Sequence, residues 1–370
     1  MGSHIKYIDG LKAISSIWVT LFHYVLAFFP IGYVGWECGI ADSDKSEYYF
    51  NHFPLSVFTN SSFPLYTFFA LIGFIVATVY FKGDSPKLLV KQSVKRYFRL
   101  MPPVLACTMI CYVFLACGLF FNGELGRIAP SHWSSVYYQG GYSFLSALKS
   151  SFYTAFIHGD GYYCSILWCM NIIFIGSYLT YSFLALFGNS KFRFFAYAAG
   201  FFLSMAIDGN YASFIAGIAA ADAASCCSKL KACNALSLAL IFAGVLIGNF
   251  IPVVSLPVWL HLGVVYAVGN FLMILGFALN PGMQRLVSSD TLCKLGKWSF
   301  SLILIHFPIM MSFSAWIFVK MREAGFGLGI GATVSWMLSL PILAAATMLF
   351  YRFVEIPSEK FADLIWRKFQ

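Results

Sequence analysis

The stretch KAISSIWVTLFH, from Lys12 to His23, lies inside the first long apolar segment of the chain, residues 10–30. A segment of this length can cross a bilayer, which takes roughly 20 residues. The two ionisable residues are eleven positions apart, so on a helix they share nearly one face, about 16 Å apart along the axis. Ionisable groups inside a membrane are costly and usually face a polar cavity. We therefore predict a membrane helix whose Lys12 and His23 line one cavity.

Composition extends this prediction to the whole chain. The 370 residues are 60% hydrophobic and 11% charged, whereas a soluble domain carries about 25% charged residues. The sequence predicts an all-α, polytopic integral membrane protein of about ten transmembrane helices in a single domain, residues 1–370. Only Asp208, Gly209 and Asn210 separate the fifth helix from the sixth. The predicted segments are 10–30, 63–82, 102–122, 165–186, 193–209, 211–227, 234–254, 259–279, 298–319 and 328–351.

The basic residues predict the orientation. With the N-terminus inside the cell, five of the 24 Lys and Arg residues fall outside: Lys45, Arg127, Lys149, Lys320 and Arg322. Cytoplasmic loops are enriched in basic residues, so the other 19 (24 − 5) favour both termini in the cytoplasm. We expect a multi-pass protein of the cell (inner) membrane. No cleavable signal peptide is expected. The net charge of +9 needs no nucleic acid as a partner.

Two long loops are predicted outside, residues 31–62 and 123–164. Their Tyr, Trp, Ser, Gly and His residues are typical of a carbohydrate-binding rim, but an aromatic belt at the membrane interface gives the same composition. The basic loop 82–101 and the loop 281–298 are predicted inside. The inner tail, residues 355–370, has apolar residues on one face and predicts an interfacial amphipathic helix.

The ten cysteines lie mostly in apolar segments, where they act as small apolar side chains. Their spacing predicts no metal site. Cys38 and Cys164 fall in the two predicted outer loops, where a disulfide between them stays open.

His23 and Lys12 each have two interpretations. An imidazole titrates near neutral pH, so His23 can act as a general base for an alcohol. It can also be a neutral side chain that hydrogen-bonds a neighbouring Ser or carbonyl. Lys12 lies near the inner end, where its ammonium group can also reach the membrane surface without lining a site.

The stretch KQSVKRYFRLMPP, residues 91–103, carries the second candidate site. Arg96 and Arg99 are three positions apart, so on a helix they point one way and can bind phosphate or carboxylate together. Basic loop composition or contact with lipid headgroups gives the same pattern. With Lys12 they place three cations at the inner end of the helix that carries His23, which favours a polyanionic cytoplasmic ligand.

Several motifs in matching order resemble the membrane acyltransferase family 3, the integral-membrane O-acetylases. The family mark is a basic residue, ten residues and then His, as in Lys12 and His23. The other matching segments are FFALIGF (68–74), KRYFRLMPP (95–103), LWCMNIIFIGS (167–177), LGKWSFSLILIHFPI (295–309) and YRFVEIPSEK (351–360). They cover most of the chain.

The resemblance implies a ten-helix fold and transfer of an acyl group, usually acetyl, from acyl-CoA to a hydroxyl of an envelope glycan outside the membrane. It implies that His23 is the catalytic base and Lys12 the basic residue of the motif. It also implies that Arg96 and Arg99 form part of the donor site and that Trp168 and His306 bind substrate or donor. For His306 a catalytic role and a structural role both stay open. Two positions depart from the family pattern, because Ile72 and Ile173 stand where relatives have Ser and an acidic residue.

The leading hypothesis is therefore an O-acyltransferase that uses acetyl-CoA as co-substrate and has no resident cofactor. Its partners would be acyl-CoA, an envelope glycan acceptor and the lipid bilayer. Direct transfer needs only one histidine, and a covalent relay through Ser15 or Ser16 stays open. The alternatives are a membrane transporter of acyl groups or small solutes, and an inactive family member.

Overall fold

The structure, a computed structural model, describes residues 5–29, 57, 59–83, 85–129, 132–227, 233–250 and 262–369. Throughout these residues the secondary structure is helical, with no strand, as composition predicts. The main helices are α1 (Lys6–Phe28), α2 (Ser62–Tyr80), α3 (Ser85–Ala116), α4 (Cys169–Phe187), α5 (Arg193–Ile207), α6 (Ala212–Cys226), α7 (Asn234–Phe250), α8 (Leu262–Ala278), α9 (Asp290–Ile309), α10 (Leu328–Phe350) and α11 (Ile356–Lys368).

Six stretches of described helix are long and apolar enough to cross a membrane. They contain α1, α2, α3, α4, α9 and α10. The helices α5 to α8 have 15 to 17 residues each, fewer than the roughly 20 that a full crossing takes. The chain is therefore a helical membrane protein with six candidate spans in its described part, and the predicted count of about ten is not confirmed.

Several predicted boundaries agree with the structure, and others do not. The break between α5 and α6 falls at Asp208, whose carboxylate accepts a hydrogen bond from the Asn210 N–H at 2.9 Å. The predicted inner loop 281–298 is shorter than expected, because α9 already begins at Asp290. The Ser289 hydroxyl caps that helix by accepting from the Leu292 N–H at 3.3 Å.

The predicted basic loop 82–101 is wrong, because α3 runs without interruption from Ser85 to Ala116. Pro102 and Pro103 lie inside this helix. Proline has no N–H, so the carbonyl four residues earlier loses its helical partner. For Pro103 that carbonyl belongs to Arg99, and the Ser358 hydroxyl of α11 donates to it. The helix therefore continues past the prolines with help from the tail.

The predicted outer loop 123–164 is largely helical. It holds the short helices Asn122–Ile128, His132–Ser135, Phe144–Lys149 and Ala155–Ile157, a π-helical turn at Ser150–Thr154, and a 3₁₀ turn at Ser165–Trp168 that leads into α4. A short helix, Pro281–Leu286, precedes α9. At its other end α9 continues through a π-helical turn, Met310–Ser314, into the helix Ala315–Glu323. A third π-helical turn among the described residues, Tyr351–Glu355, joins α10 to α11.

The helices form two joined layers around α1. On one side α1 packs along α9, which packs in turn against α10. On the other side α1 contacts α2, and the contacts continue through α6 and α8 to α7. The tail helix α11 docks on α3. Phe361, on the apolar face of α11, meets the ring of Phe98 edge-on at 5.9 Å.

One ion pair inside the bundle ties α5 to α6. Arg193 donates to both carboxylate oxygens of Asp222, at 2.6 and 3.1 Å. The Tyr197 hydroxyl donates to the same carboxylate at 3.0 Å. A buried charge is tolerated when it is paired and hydrogen-bonded. These contacts therefore explain why the Asp222 carboxylate is buried, without a role in binding or catalysis.

Candidate active site

Two histidines from distant parts of the chain meet between α1 and α9. The Nε2 atom of His306 lies 3.1 Å from the Nδ1 atom of His23. His306 is fully buried, whereas His23 is partly exposed. His23 is therefore the member of the pair that a substrate can reach.

The hydrogen-bond partners assign the tautomers of this pair. The Nδ1 atom of His306 lies 3.1 Å from the Leu302 carbonyl oxygen. Because a carbonyl only accepts, Nδ1 of His306 carries the proton, and in a neutral ring Nε2 is then an acceptor. His23 must donate to it from Nδ1, which leaves His23 Nε2 without a proton. The arrangement presents a basic nitrogen that a second imidazole orients.

Aromatic rings enclose the pair. Trp133 stacks on His23 with ring centroids 5.6 Å apart and planes at 26°. Trp133 also meets Tyr137 edge-on at 5.3 Å and Phe307 at 6.0 Å. This enclosure lowers the local dielectric around the two imidazoles.

Hydrogen bonds next to the pair fix α1 against α10. The Tyr24 hydroxyl pairs with the Ser314 hydroxyl at 2.9 Å, which pairs with that of Ser339 at 2.6 Å. Ser335 donates to the Ser314 carbonyl at 2.5 Å. Ser314 lies in the π-helical turn after α9, and such turns recur at functional sites. The network fixes the position of Tyr24 on α1 against Ser314, which lies eight residues after His306.

Lys12 and Arg99 lie around a buried carboxylate at the other end of α1. Lys12 pairs with Asp9 at 2.7 Å. Lys12 and Arg99 also interact electrostatically with Glu355, which accepts a hydrogen bond from Ser301 at 2.5 Å. The structure thus brings the two predicted cations to one region, each with an acidic neighbour.

The tail helix supplies acidic partners to α3. Arg99 pairs with Glu359 at 2.5 Å, and Lys95 pairs with Asp363 at 2.5 Å. The sequence predicted that Arg96 and Arg99 act together on one anion. In the structure Arg99 points to α11 and is neutralised there.

Arg96 differs from its neighbours. It is only partly exposed, lies close enough to Tyr178, Tyr181 and Arg99 for electrostatic interaction, and forms no ion pair with any described residue. Its Nε atom is buried without a hydrogen-bond partner. A buried guanidinium N–H without an acceptor is unfavourable, so this position is suited to an anionic ligand.

Trp168 lies away from these cations. It precedes α4, whose Tyr178 contacts α3 near Arg96. Ten helical residues correspond to about 15 Å, so Trp168 belongs to the opposite end of α4. Its side chain is 41% exposed and lines a cavity of about 390 Å³ between the segments 136–140 and 161–168. Of the two roles implied for Trp168, this position favours contact with an acceptor over contact with the donor.

Three cysteines cluster beside His306, which the sequence did not predict. The sulfur atoms of Cys107, Cys111 and Cys164 lie within 4.8 Å of one another, and all three are buried. Pro308 leaves the Leu304 carbonyl without its helical partner. The thiols of Cys107 and Cys164 donate to that carbonyl at 3.4 and 3.9 Å. These two hydrogen bonds give Cys107 and Cys164 a structural role beside α9.

Cys164 is therefore part of the core, not of an exposed outer loop as predicted. Its proposed disulfide partner, Cys38, lies outside the described residues. The sequence has Ile72 and Ile173 where the resembled family has Ser and an acidic residue, and the structure agrees with the lack of a carboxylate at the site. No described carboxylate hydrogen-bonds to His23 or His306, and the Leu302 carbonyl orients the pair in its place.

The fold and this site define a helical membrane protein with an oriented imidazole pair between α1 and α9. Comparisons of the chain with known protein families, with curated proteins and with solved structures found no match. Sequence reasoning identified both histidines but not their contact, nor the role of Trp133. Pro308 was a usable signal for part of the thiol cluster, because a proline there leaves the Leu304 carbonyl in need of another donor.

Proposed function

We propose that the protein is an O-acyltransferase of the inner membrane that moves an acyl group, usually acetyl, from cytoplasmic acyl-CoA to a hydroxyl of an envelope glycan. The observation that carries the proposal is the tautomer pattern of the histidine pair, which leaves His23 Nε2 as an oriented base. The motif resemblance and the unpartnered Arg96 support the same function.

The chemistry follows from the geometry of the pair. His23 Nε2 accepts the proton of the acceptor hydroxyl while the oxygen attacks the thioester carbonyl. The resulting imidazolium donates from Nδ1 to His306 Nε2, and His306 is held by the Leu302 carbonyl, so the charge is stabilised without a carboxylate. The tetrahedral intermediate then collapses, the carbon–sulfur bond breaks, and the proton on His23 Nε2 passes to the departing CoA thiolate.

The donor would bind at the end of α1 that carries Lys12. Arg96 and Lys12 would contact the phosphates of acyl-CoA, with the pantetheine arm extending along α1 to His23. The pair Arg99–Glu359 is next to this region and ties α11 to α3. Of the two arginines, Arg96 would therefore be available to the donor phosphates because no described residue forms an ion pair with it. Arg99 is already paired with Glu359.

This function requires a donor site inside and an acceptor site outside, so it includes a topology of about ten spans with both termini cytoplasmic. In a cysteine-free variant, Lys191→Cys is expected to resist a membrane-impermeant maleimide in intact cells. Gly327→Cys, in the turn before α10, is expected to react. Both residues are exposed, so burial does not separate them. Labelling of position 191 from outside would reject the orientation.

Arg96→Ala is expected to weaken acyl-CoA binding by about 10- to 100-fold, because a charge-assisted hydrogen bond contributes about 1.5–3 kcal/mol. Isothermal titration of the purified protein in detergent measures the dissociation constant. Lys95→Ala is the matched control, since Lys95 lies on the same helix and Asp363 already neutralises it. Equal affinities of the Arg96→Ala variant and the unaltered protein would assign Arg96 to the general basic character of the inner surface.

A further inference from the structure

The cavity beside Trp168 has the composition of a binding site. Its volume of about 390 Å³ is within the range of roughly 300–1,000 Å³ that is typical of ligand pockets. It is lined by Val136, Tyr137, Tyr138, Gln139, Gly140, Gly161, Tyr162, Ser165 and Trp168. None of these nine residues is charged. The described lining therefore offers no charged side chain to an ionic occupant, which favours a neutral one.

The polar groups of the cavity suit hydroxyl groups. The Tyr162 hydroxyl donates to the Gly140 carbonyl at 2.8 Å, which leaves its oxygen free to accept. The hydroxyls of Tyr137 and Ser165 pair at 2.6 Å, and burial raises the pKa of Tyr137, so its phenol stays neutral. Gln139 donates to the Ser135 carbonyl at 2.6 Å through its amide nitrogen, so its amide oxygen remains as an acceptor.

The backbone of the cavity is strained at one aromatic residue. Tyr138 has φ of 64°, a left-handed conformation that is unfavourable for a side chain with a Cβ and that concentrates at functional sites. Its ring stacks on Phe120 at 4.5 Å, and its hydroxyl donates to the Tyr163 carbonyl at 2.9 Å. These two contacts hold the strained turn and set the shape of the cavity between Tyr137 and Gln139.

The cavity is joined to the histidine pair by two rings. Tyr137 forms part of its wall and meets Trp133 edge-on, and Trp133 stacks on His23. A molecule in the cavity is therefore separated from the base by the thickness of two aromatic side chains. This position suits the recognition of a unit next to the reacting one, not of the reacting hydroxyl itself.

We infer that this cavity binds an uncharged sugar ring of the acceptor, adjacent to the sugar that receives the acyl group. Sugar rings present C–H faces that pack on aromatic side chains and a rim of hydroxyls that pair with groups such as those of Tyr162 and Gln139. The inference rests on the proposed function, because it assigns the acceptor of that reaction. It adds a specificity, since an acidic or phosphorylated sugar has no described cation to pair with in the cavity.

Saturation-transfer difference NMR on the full chain in detergent tests this site. The probes are the methyl glycosides of glucose, galactose and N-acetylglucosamine, with the methyl glycoside of glucuronic acid as the charged probe. We expect transfer from the protein to the ring C–H protons of at least one neutral probe, and less to the charged one. Trp168→Ala should weaken binding of that probe about three- to tenfold, the usual range for one aromatic contact.

Trp316→Ala is the matched control, because Trp316 is 42% exposed and lies outside the cavity. Gln139→Ala, at an exposed position, gives a second measure should Trp168→Ala not fold. Absence of transfer to every neutral probe, equal transfer to the glucuronide, or an equal loss in Trp316→Ala would overturn the inference.

Acyl-CoA binding to the same sample of the unaltered protein separates the two proposals. Acyl-CoA binding without any sugar contact rejects the cavity as an acceptor site and leaves the proposed function. Sugar contact that is sensitive to Trp168, without acyl-CoA binding, supports the cavity as a sugar site and rejects the acyltransferase.

Discussion

Replacing His23 by alanine is expected to lower acyl transfer by about 10²–10⁴-fold, the usual effect of removing a positioned general base. The variant should stay folded and should still bind acyl-CoA, because Lys12 lies about 16 Å from the imidazole along α1 and Arg96 lies on a different helix, α3. The rate is measured as transfer from radiolabelled acetyl-CoA to the surface glycan, and the binding constant by titration in detergent.

Two variants of His306 distinguish a role of the histidine pair in catalysis from a purely structural role. His306→Gln keeps an oxygen that can accept from His23 Nδ1, whereas His306→Leu removes that acceptor together with the side-chain donor to the Leu302 carbonyl. We expect His306→Leu to lower kcat with little change in the KM for acetyl-CoA, and His306→Gln to recover part of the loss. Near-normal transfer by His23→Ala, or loss that only follows the loss of folded protein, would contradict the proposed role of the pair.

The helical class and most helix positions were predictable because a membrane imposes strong rules on the sequence. Apolar segments reveal the spans, and α10 was predicted to within one residue at its end. The failure at α3 also has a physical cause. Two prolines and a run of basic residues indicate a boundary when only local sequence is considered, yet Ser358, more than 250 positions away, compensates the carbonyl that Pro103 leaves unpaired.

The site was predictable as residue types but not as pairs. The motif pointed to His23 and His306, but a contact across 283 positions depends on helix packing, which periodicity does not specify. In the same way Arg96 and Arg99 were equivalent in the sequence. The acidic residues of α11 distinguish them, because Glu359 neutralises Arg99 and no described residue pairs with Arg96.

Two glycines allow the close approach of α1 to α9 and to the turn before it. Gly296 lies in α9, and Gly10 of α1 lies against Val287, just before α9 begins. A Cβ at Gly296 would lie 2.0 Å from the Asp9 carbonyl oxygen, and a Cβ at Gly10 would lie 1.7 Å from that of Val287. Both neighbours are backbone atoms, which cannot move aside as a flexible side chain can. Small residues allow this close approach of membrane helices.

Gly296→Ala is therefore expected to separate α1 from α9 and to destabilise the protein by about 3 kcal/mol or more. Overpacking of a tight contact typically costs about 1–3 kcal/mol, and a backbone overlap of this size lies at or above that range. Thermal unfolding in detergent, followed by size-exclusion chromatography, measures the change. Gly329→Ala is the matched control, because it also replaces a helical glycine but a Cβ there meets nothing within 4 Å.

The helix propensity of alanine sharpens the contrast between these variants. In an open helical position Gly→Ala stabilises by up to about 1 kcal/mol, so Gly329→Ala should unfold at the same temperature as the unaltered protein or higher. Any Gly296→Ala protein that remains folded should transfer acyl groups slowly although both histidines are present, because their 3.1 Å contact depends on the same two helices. Unaltered stability and activity in Gly296→Ala would show that α1 and α9 do not approach as closely as described, and the orientation of His23 by His306 would lose its structural basis.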